Sequence, residues 1–245
     1  MKLSGSRSPW LAVALGITWF ASVRTAHACG VSASGVSSCS LAEHDEATRA
    51  RWAVGVSGLY TATRLRFSGS LYAEQVRGAV LASLAYLPTP RLVLQLGAGA
   101  ALGGSLTAPD GKHTFSPGPI AALGLDYRAF DDGRYFLVLT SGLSFTAAQT
   151  QRSDDPTVGY EALDLRIGAQ LGVQLANIVR PYVVTRAFGG PVFWRNQGKA
   201  VTGTDTHHYQ VGLGTGVNLT KKLNLFAEGI PFGERAVSAG LGFSL

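Results

Sequence analysis

A tight cluster of acid and histidine side chains, Asp205, His207 and His208, lies in the C-terminal part of this 245-residue sequence. A carboxylate beside an imidazole can act as an acid–base pair, and two neighbouring histidines can hold a divalent metal weakly. The same residues are also typical of a polar junction between a loop and a strand. No Gly-x-Ser-x-Gly motif, P-loop or zinc-ligand cluster accompanies them. We therefore predict no catalytic, metal or cofactor site.

A second set of polar residues shares one feature: each lies in a segment where polar or small residues alternate with apolar residues. Its members are Gln95, Asp126, Arg128, Asp164, Arg166, Gln170, Gln174, Arg186, Gln210, Asn218 and Glu228. Successive side chains of a β-strand point to opposite faces, so this set occupies the face opposite an apolar one. Two functions fit the set: the lining of a narrow channel, or a hydrogen-bonded plug in which buried charges pair.

The elements that carry these residues are long alternating strands. Over residues 163–175, large apolar residues alternate with Gly, Gln and charged residues, and 92–103 and 209–219 repeat the pattern. Strands that cross a membrane need about 9–11 residues, whereas strands of soluble proteins average about 5–6. The small residues on the second face favour a narrow interior, where large side chains from opposite walls would collide.

Tight turns and long loops alternate between these strands. Ten or so strands are predicted, near 51–63, 74–87, 91–105, 117–129, 134–150, 160–175, 179–191, 207–219, 223–231 and 235–245. Turns fall at 88–90, 131–133, 176–178 and 220–222, and loops at 64–73, 106–116, 151–159 and 192–206, with a short one at 232–234. This layout predicts an all-β protein, a closed antiparallel transmembrane β-barrel. About ten strands enclose little free space, which favours the plug over the channel.

Composition excludes other classes. Charged residues make up 15% of the chain, hydrophobic residues 46%, and there are 31 glycines. The hydrophobic fraction is too high for a disordered chain. No stretch after the N-terminus is apolar for about 20 residues, so a bundle of membrane helices is excluded as well.

The N-terminus resembles a secretory signal peptide at residues 1–28, with a basic start, an apolar run at 10–23 and a small-residue site at 26–28. Removing Lys2, Arg7 and Arg24 lowers the formal net charge from +6 to +3, and no basic tract for nucleic acid remains. A polar segment follows at 29–48, before the barrel at 49–245. We predict a disulfide between Cys29 and Cys39 in an oxidising compartment, with lipidation of Cys29 as the alternative.

Aromatic residues concentrate near strand ends and predict two interfacial bands. The turn-side band comprises Trp52, Tyr86, Tyr127, Phe130, Tyr135, Phe136, Tyr182, Phe226 and Phe243. The loop-side band comprises Phe67, Tyr72, Phe115, Phe145, Tyr160, Phe188, Phe193, Trp194, Tyr209 and Phe232.

With these features the chain resembles the small bacterial outer-membrane β-barrel proteins. The last eight residues resemble that family's C-terminal assembly signal through Ser238, Gly240, Phe243 and Leu245, although the chain ends in Leu rather than Phe or Trp. The resemblance implies export to the outer membrane of a Gram-negative bacterium, with turns in the periplasm and loops outside. It also implies insertion by the barrel-assembly machinery and contact with outer-membrane lipid and lipopolysaccharide.

The function predicted from these features is structural or surface-interacting, without catalysis. One alternative is an enzyme active at the barrel rim, either a lipid A hydrolase or a protease, since some ten-stranded barrels are proteases with Asp and His near the rim. A narrow channel and a soluble ligand-binding β-barrel are the others. Phe193, Trp194, Arg195 and Lys199 of the loop 192–206 are candidates for contact with lipopolysaccharide phosphates or a partner. The sequence predicts no oligomeric state.

Overall fold

The computed structural model describes residues 52–68, 71–153, 156–176, 178–196 and 198–245. The predicted signal peptide, the polar segment 29–48 and the Cys29–Cys39 pair lie outside the described residues. In the described part of the chain, no helix is long and apolar enough to cross a membrane.

The described chain forms one antiparallel sheet of 13 strands. They are β1 (Trp52–Phe67), β2 (Tyr72–Thr89), β3 (Leu92–Ala108), β4 (Gly111–Phe115), β5 (Gly118–Asp131), β6 (Tyr135–Gln151), β7 (Val158–Val173), β8 (Val179–Gly189), β9 (Val192–Asn196), β10 (Lys199–Asp205), β11 (Tyr209–Asn218), β12 (Leu223–Gly233) and β13 (Arg235–Ser244).

Ten of these strands close a ring in the order β1, β2, β3, β5, β6, β7, β8, β11, β12, β13 and back to β1. The closing pair is β13 with β1, where Ala53 lies opposite Ser244 and Ala62 opposite Arg235. Closure gives every strand two neighbours, so no row of backbone N–H and C=O groups is left at an edge. The ring agrees with the predicted barrel of about ten strands.

The other three strands, β4, β9 and β10, continue three members of the ring beyond one of its ends. β4 precedes β5 and pairs with β3 and β6, β9 follows β8 and pairs with β7, and β10 precedes β11 and pairs with β9 and β1. The β12–β13 hairpin stops short, so above it Leu65 of β1 pairs with Asp205 of β10. A second ring of β1, β2, β3, β4, β6, β7, β9 and β10 results, and we call it the cap.

The cap corrects the prediction of long loops. Much of 64–73, 106–116 and 192–206 is strand, because β1 runs to Phe67, β3 to Ala108, and β4, β9 and β10 fill the rest. The four tight turns fall close to their predicted places. Polar and aromatic residues in these segments had indicated loops, but there they alternate across the wall of the cap.

Strand β1 shows how the two rings differ. In its lower half Ala53, Gly55 and Ser57 point inward while Val54 and Val56 point outward and are exposed. In its upper half the faces exchange character: Leu65 and Phe67 are buried inside, and Arg64 and Arg66 are exposed outside. The exchange takes place near Thr61 and Thr63. The ring is therefore apolar outside, and the cap is polar outside with an apolar core.

The aromatic bands are accordingly only partly right. Tyr72, Phe145, Phe193, Tyr209 and Phe232 on the loop side, and Trp52, Tyr127, Phe130, Tyr135 and Phe243 on the turn side, are exposed as predicted. By contrast, Phe67, Phe115, Tyr160, Phe188, Trp194, Tyr182 and Phe226 are buried. Position along the chain does not separate the exposed aromatics from the buried ones, because both groups lie near strand ends.

Inward-facing glycines make room for large interior side chains. A Cβ on Gly168 would lie 2.6 Å from Cγ of Arg186 on the adjacent strand, and a Cβ on Gly214 would overlap the Tyr182 ring. Glycine on one strand therefore complements Arg or Tyr on the next, which explains the glycine-rich second face of the strands. The interior is filled by this pairing of small and large residues.

Candidate functional site

A cluster of charged and amide side chains fills the barrel where the ring meets the cap. We call Asp164, Arg166, Asp205, Gln210 and Glu234 the junction cluster. Nη1 of Arg166 donates to Oε2 of Glu234 at 2.7 Å, and Nε of Arg166 donates to Asp164. Nε2 of Gln210 donates to the same Glu234 oxygen at 2.7 Å. These hydrogen bonds join β7, β11 and the β12–β13 turn at one polar site, and Asp205 of β10 lies close enough to interact electrostatically with it.

Asp205 belongs to the cap side of this cluster. Its Oδ1 accepts a hydrogen bond from Oγ1 of Thr63 at 2.7 Å. Burial raises the pKa of Asp205 to about 6, the Glu234 carboxylate adds to this shift, and the Thr63 hydrogen bond opposes it. The Asp205 carboxyl thus accepts a hydrogen bond from a hydroxyl, and it forms no ion pair with a cation among the described residues.

The structure separates the side chains of the candidate group Asp205, His207 and His208. Asp205 is turned toward Thr63, whereas both histidines are exposed. Nδ1 of His207 lies 3.1 Å from Oγ1 of Thr206, and Nδ1 of His208 lies 3.2 Å from the carbonyl oxygen of Phe188. No hydrogen bond or ion pair joins Asp205 to either histidine among residues 198–245. Nor do the described residues contain a group of three or more His, Cys, Asp or Glu side chains able to hold a metal ion.

A deeper ion pair lies in the middle of the ring. Nη1 and Nη2 of Arg186 donate to Oε1 and Oε2 of Glu228, both at 2.8 Å, and the Tyr182 hydroxyl donates to Oε2 at 3.2 Å. The Arg186 and Glu228 side chains are 0% exposed. This bidentate geometry provides hydrogen-bond donors to both oxygens of a carboxylate that is buried away from water.

The remaining members of the predicted polar set lie inside the ring too. Gln95, Asp126, Arg128, Gln170 and Asn218 are buried, and Gln174 is half-buried. Arg128 pairs with Asp131 at 2.7 Å near the turn end. The set thus lines the wall at several heights, with side chains that also make further polar contacts.

Glu234 is the member of the junction cluster that is absent from the residues chosen from the sequence. It stands in what was predicted as a short loop, directly after Gly233, whose φ of +84° turns the chain. The inward face of β13 contains Ala236 and Ser238, and continuing that face back by two residues reaches Glu234. Alternation carried one step past the turn would have found it.

The cap closes the barrel above the junction cluster with an apolar core. Its buried members are Leu65, Phe67, Ala73, Leu106, Ala108, Phe115, Tyr160, Val192 and Trp194. The Trp194 ring lies 5.4 Å from Phe67 and 5.0 Å from His113, and Phe115 meets Tyr160 edge to face at 4.9 Å.

The two polar atoms of the large aromatics in this core are satisfied inside it. Nε1 of Trp194 donates to Oγ1 of Thr150 at 3.0 Å, and the Tyr160 hydroxyl donates to Oε1 of Gln75 at 2.7 Å. Burial raises the pKa of Tyr160, so this hydroxyl stays protonated as a donor. The core therefore contains large rings fixed by hydrogen bonds.

The comparisons with known proteins found similarity in structure only. No family model matches the chain, and no curated protein matches it significantly. The outer membrane protease OmpT from Escherichia coli superposes with a TM-score of 0.52 at 10% identity, covering 84% of this chain and 100% of that one. The fold is that of a bacterial outer-membrane β-barrel. At this identity the likeness shows the fold and nothing finer.

Two further solved structures belong to the same class of barrel. The β domain of the Bordetella autotransporter BrkA gives a TM-score of 0.46 at 16% identity, covering 79% of this chain and 100% of that one. The translocator domain of the autotransporter NalP from Neisseria meningitidis gives 0.43 at 13%, with coverages of 82% and 90%. In an outer-membrane barrel the apolar outer face of the ring contacts lipid.

Proposed function

We propose that this protein is a closed outer-membrane barrel whose cap is displayed outside the cell as a structural or interacting surface, without catalysis. The observation that carries the proposal is the apolar core of the cap. Large rings fill the space above the lumen, and charge-paired side chains fill the ring below. A conducting pore requires a continuous hydrated path, which this filling opposes.

Export and membrane insertion follow from the two ends of the chain in this proposal. Residues 1–28 are removed on export, and Ser238, Gly240, Phe243 and Leu245 on β13 are read by the barrel-assembly machinery. Support comes from the position of β13, which pairs with both β1 and β12 and closes the ring. Its outward side chains, Leu241 and Phe243, are exposed where lipid would lie.

Single-channel recording in planar bilayers tests the closed interior. Wild-type protein is expected to give no steady current. Trp194→Ala combined with Tyr160→Ala removes two rings of the cap core and should produce at most brief, flickering conductance, because side chains still fill the ring below. Phe193→Ala is the matched control, because Phe193 neighbours Trp194 but faces outward. A steady current from the wild-type protein would instead establish the narrow channel.

The absence of catalysis rests on the turned-away geometry of Asp205 and the two histidines. A peptide-cleavage assay and a lipid A deacylation assay on outer membranes test it. We expect no activity above that of membranes lacking the protein. Activity that is lost in both His208→Ala and Asp205→Asn, with the barrel still folded, would establish the rim enzyme.

A further inference from the structure

The outer face of the cap is basic on one side. On β1 and β9 and at the top of the β12–β13 hairpin, the exposed charged side chains are Arg64, Arg66, Arg195 and Arg235. The wall made by β3, β4 and β6 exposes mainly neutral polar residues, namely Thr107, Thr114, Gln149 and Gln151, with Lys112 near the β3–β4 turn. Positive charge is therefore concentrated around the place where β10 meets β1 above the short hairpin.

Three of these arginines stand directly above the apolar band. Arg235 lies opposite Ala62 across the β1–β13 pair, and Val237, the next outward residue of β13, is 62% exposed. Arg64 and Arg66 follow Ala62 on the same face of β1, at steps of about 7 Å. We call Arg64, Arg66 and Arg235 the basic patch. It occupies the height at which the headgroups of the outer leaflet lie.

Glu74 is the exposed carboxylate beside the basic patch, since it is the register partner of Arg64 on β2, and it offsets one of the three positive charges. The Arg64 guanidinium itself stacks over the Tyr72 ring at 4.8 Å. Neither Arg66 nor Arg235 forms an ion pair with any residue in the part of the chain that the structure describes. The nearby carboxylates of Asp205 and Glu234 are turned into the junction cluster.

A groove beside the basic patch adds neutral hydrogen-bond donors. Arg66 lines this open groove together with the hydroxyl residues Ser68, Thr202 and Thr204, and with Gly190 and Pro191 at the break between β8 and β9. Thr204 is the register partner of Arg66. Guanidinium and hydroxyl groups together are the donors that phosphate oxygens accept from.

We infer that the basic patch and this groove bind the phosphorylated sugar headgroup of lipid A, the glycolipid of the outer leaflet. The apolar residues below the patch, Tyr60 and Val237, are exposed for its acyl chains. A site beside an apolar band fits a lipid phosphate better than a soluble anion. The inference rests on the outer-membrane location within the proposed function and does not depend on whether the interior is closed.

The candidate segment chosen from the sequence lies farther from the apolar band than the basic patch does. Trp194 lies in the cap core, and Lys199 lies at the β9–β10 turn. Arg195 pairs with Ala200, and Arg66 pairs with Thr204, which lies four residues from Ala200 along β10. Arg195 is therefore about 13 Å farther from the apolar band than Arg66 is. The lipid-binding residues are expected on β1 and β13 rather than at the tip of the hairpin.

Native mass spectrometry of the refolded full chain in detergent, with bis-phosphorylated lipid A added, tests the inference. Wild-type protein should carry one lipid A molecule, and Arg64→Gln combined with Arg66→Gln and Arg235→Gln should bind it at least about tenfold more weakly. Lipid A from which both phosphates have been removed should bind the wild-type protein as weakly as intact lipid A binds this triple variant. Heat-modifiable mobility on the same samples verifies that each barrel is folded.

The matched control removes three positive charges from the other end of the molecule. Arg91, Arg134 and Lys221 are exposed in the turns, and their combined change to Gln should leave lipid A binding unchanged. Equal losses in both triple variants would overturn the inference, because general charge would then explain the binding. Full binding by the patch variant, or displacement of lipid A by millimolar inorganic phosphate, would overturn it as well. Closure of the pore is tested separately by conductance, so the two proposals can fail independently.

Discussion

The ring and the cap share five strands, β1, β2, β3, β6 and β7, yet differ in what they bury and in what they expose. Inside the ring the Arg186–Glu228 pair and amide side chains lie among small apolar clusters, such as that of Leu81 and Ile120, while leucines and valines face outward. Inside the cap lie Phe67, Phe115 and Trp194, while arginine and glutamine face outward. One continuous strand can satisfy both environments because its two faces exchange character at a single level.

The solvent on each side accounts for this difference. Lipid favours an apolar outer face, so in the ring the polar groups collect inside, where they must pair with one another. Water surrounds the cap, so burying apolar side chains stabilises it as in a soluble domain. The level of exchange, near Thr61 and Thr63 on β1 and between Glu161 and Leu163 on β7, therefore marks the membrane boundary.

The largest expected effect comes from the ion pair inside the ring. Arg186→Ala leaves the Glu228 carboxylate buried without its forked partner and should destabilise the barrel by about 3–5 kcal/mol. Urea unfolding in detergent micelles measures this loss. Replacing both residues with Met should restore much of the stability, because no charge then stays buried. If the double variant were as unstable as Arg186→Ala, burial of an unpaired charge would not be the cause.

The cap core should respond as a separate, local unit. Trp194→Ala removes a buried ring and leaves Thr150 without its donor, at a cost of about 3 kcal/mol or more. Limited proteolysis should then cut within the β9–β10 hairpin while heat-modifiable mobility of the ring persists. Phe193→Ala, on the outer face of the same strand, should change little. Loss of the whole barrel in Trp194→Ala would show that cap and ring do not unfold separately.

A charge on the outer face distinguishes the two regions along one strand. Ala169→Arg on β7 places a guanidinium against the hydrocarbon and should cost about 2–4 kcal/mol. Glu161→Arg, on the same face of β7 but in the cap, should cost almost nothing, since surface substitutions stay within about 0.5 kcal/mol. Folding efficiency into lipid vesicles measures both. Equal effects of the two substitutions would place the boundary elsewhere.

Asp205 gives the cap a pH dependence of known sign. Its pKa is raised to about 6, so the folded state holds the proton between about pH 4 and 6. The contribution of Asp205 to the stability of the cap is therefore fully present below about pH 4 and is lost as the pH rises through 6, by at most about 3 kcal/mol. Proteolysis rates of the β9–β10 hairpin at pH 4, 5, 6 and 7 measure this, and Asp205→Asn should flatten the dependence.

Asp132 in the β5–β6 turn is the control of opposite sign. Backbone N–H groups of Tyr135 and Arg134 donate to its carboxylate and lower its pKa. Its contribution is present at neutral pH and is lost as the pH falls through the lowered value. Asp132→Asn should therefore leave the response between pH 4 and 7 unaltered. A hairpin that became more resistant to protease as the pH rose would contradict the role given to Asp205.

The sequence predicted the ring well because lipid imposes a strict rule on it. Alternation over 163–175 assigns Leu165 and Ile167 to the outer face, and both are exposed there. The strands of the cap were not predicted because the two faces are exchanged there. Arg64 and Arg66 stand where the ring has apolar residues and Phe67 where it has polar ones, so the pattern indicated a loop. Glu234 was missed because Gly233 marks a turn in the sequence, so the inward face of β13 was not extended back past Ala236. Its contact with Arg166 depends on the closure of the ring, which no local pattern shows.

Spin-label accessibility along β7 tests the exchange of faces most directly. Single cysteines are placed at outward positions 159, 161, 163, 165, 167, 169 and 171 of a variant in which Cys29 and Cys39 are Ser, and the labelled protein is reconstituted in lipid vesicles. If the two faces exchange character between positions 161 and 163, the labels collide mainly with oxygen at positions 163–171 and mainly with a water-soluble nickel chelate at 159 and 161. Water accessibility that stayed uniform along the whole outer face of β7, or lipid contact that continued through position 161, would contradict it.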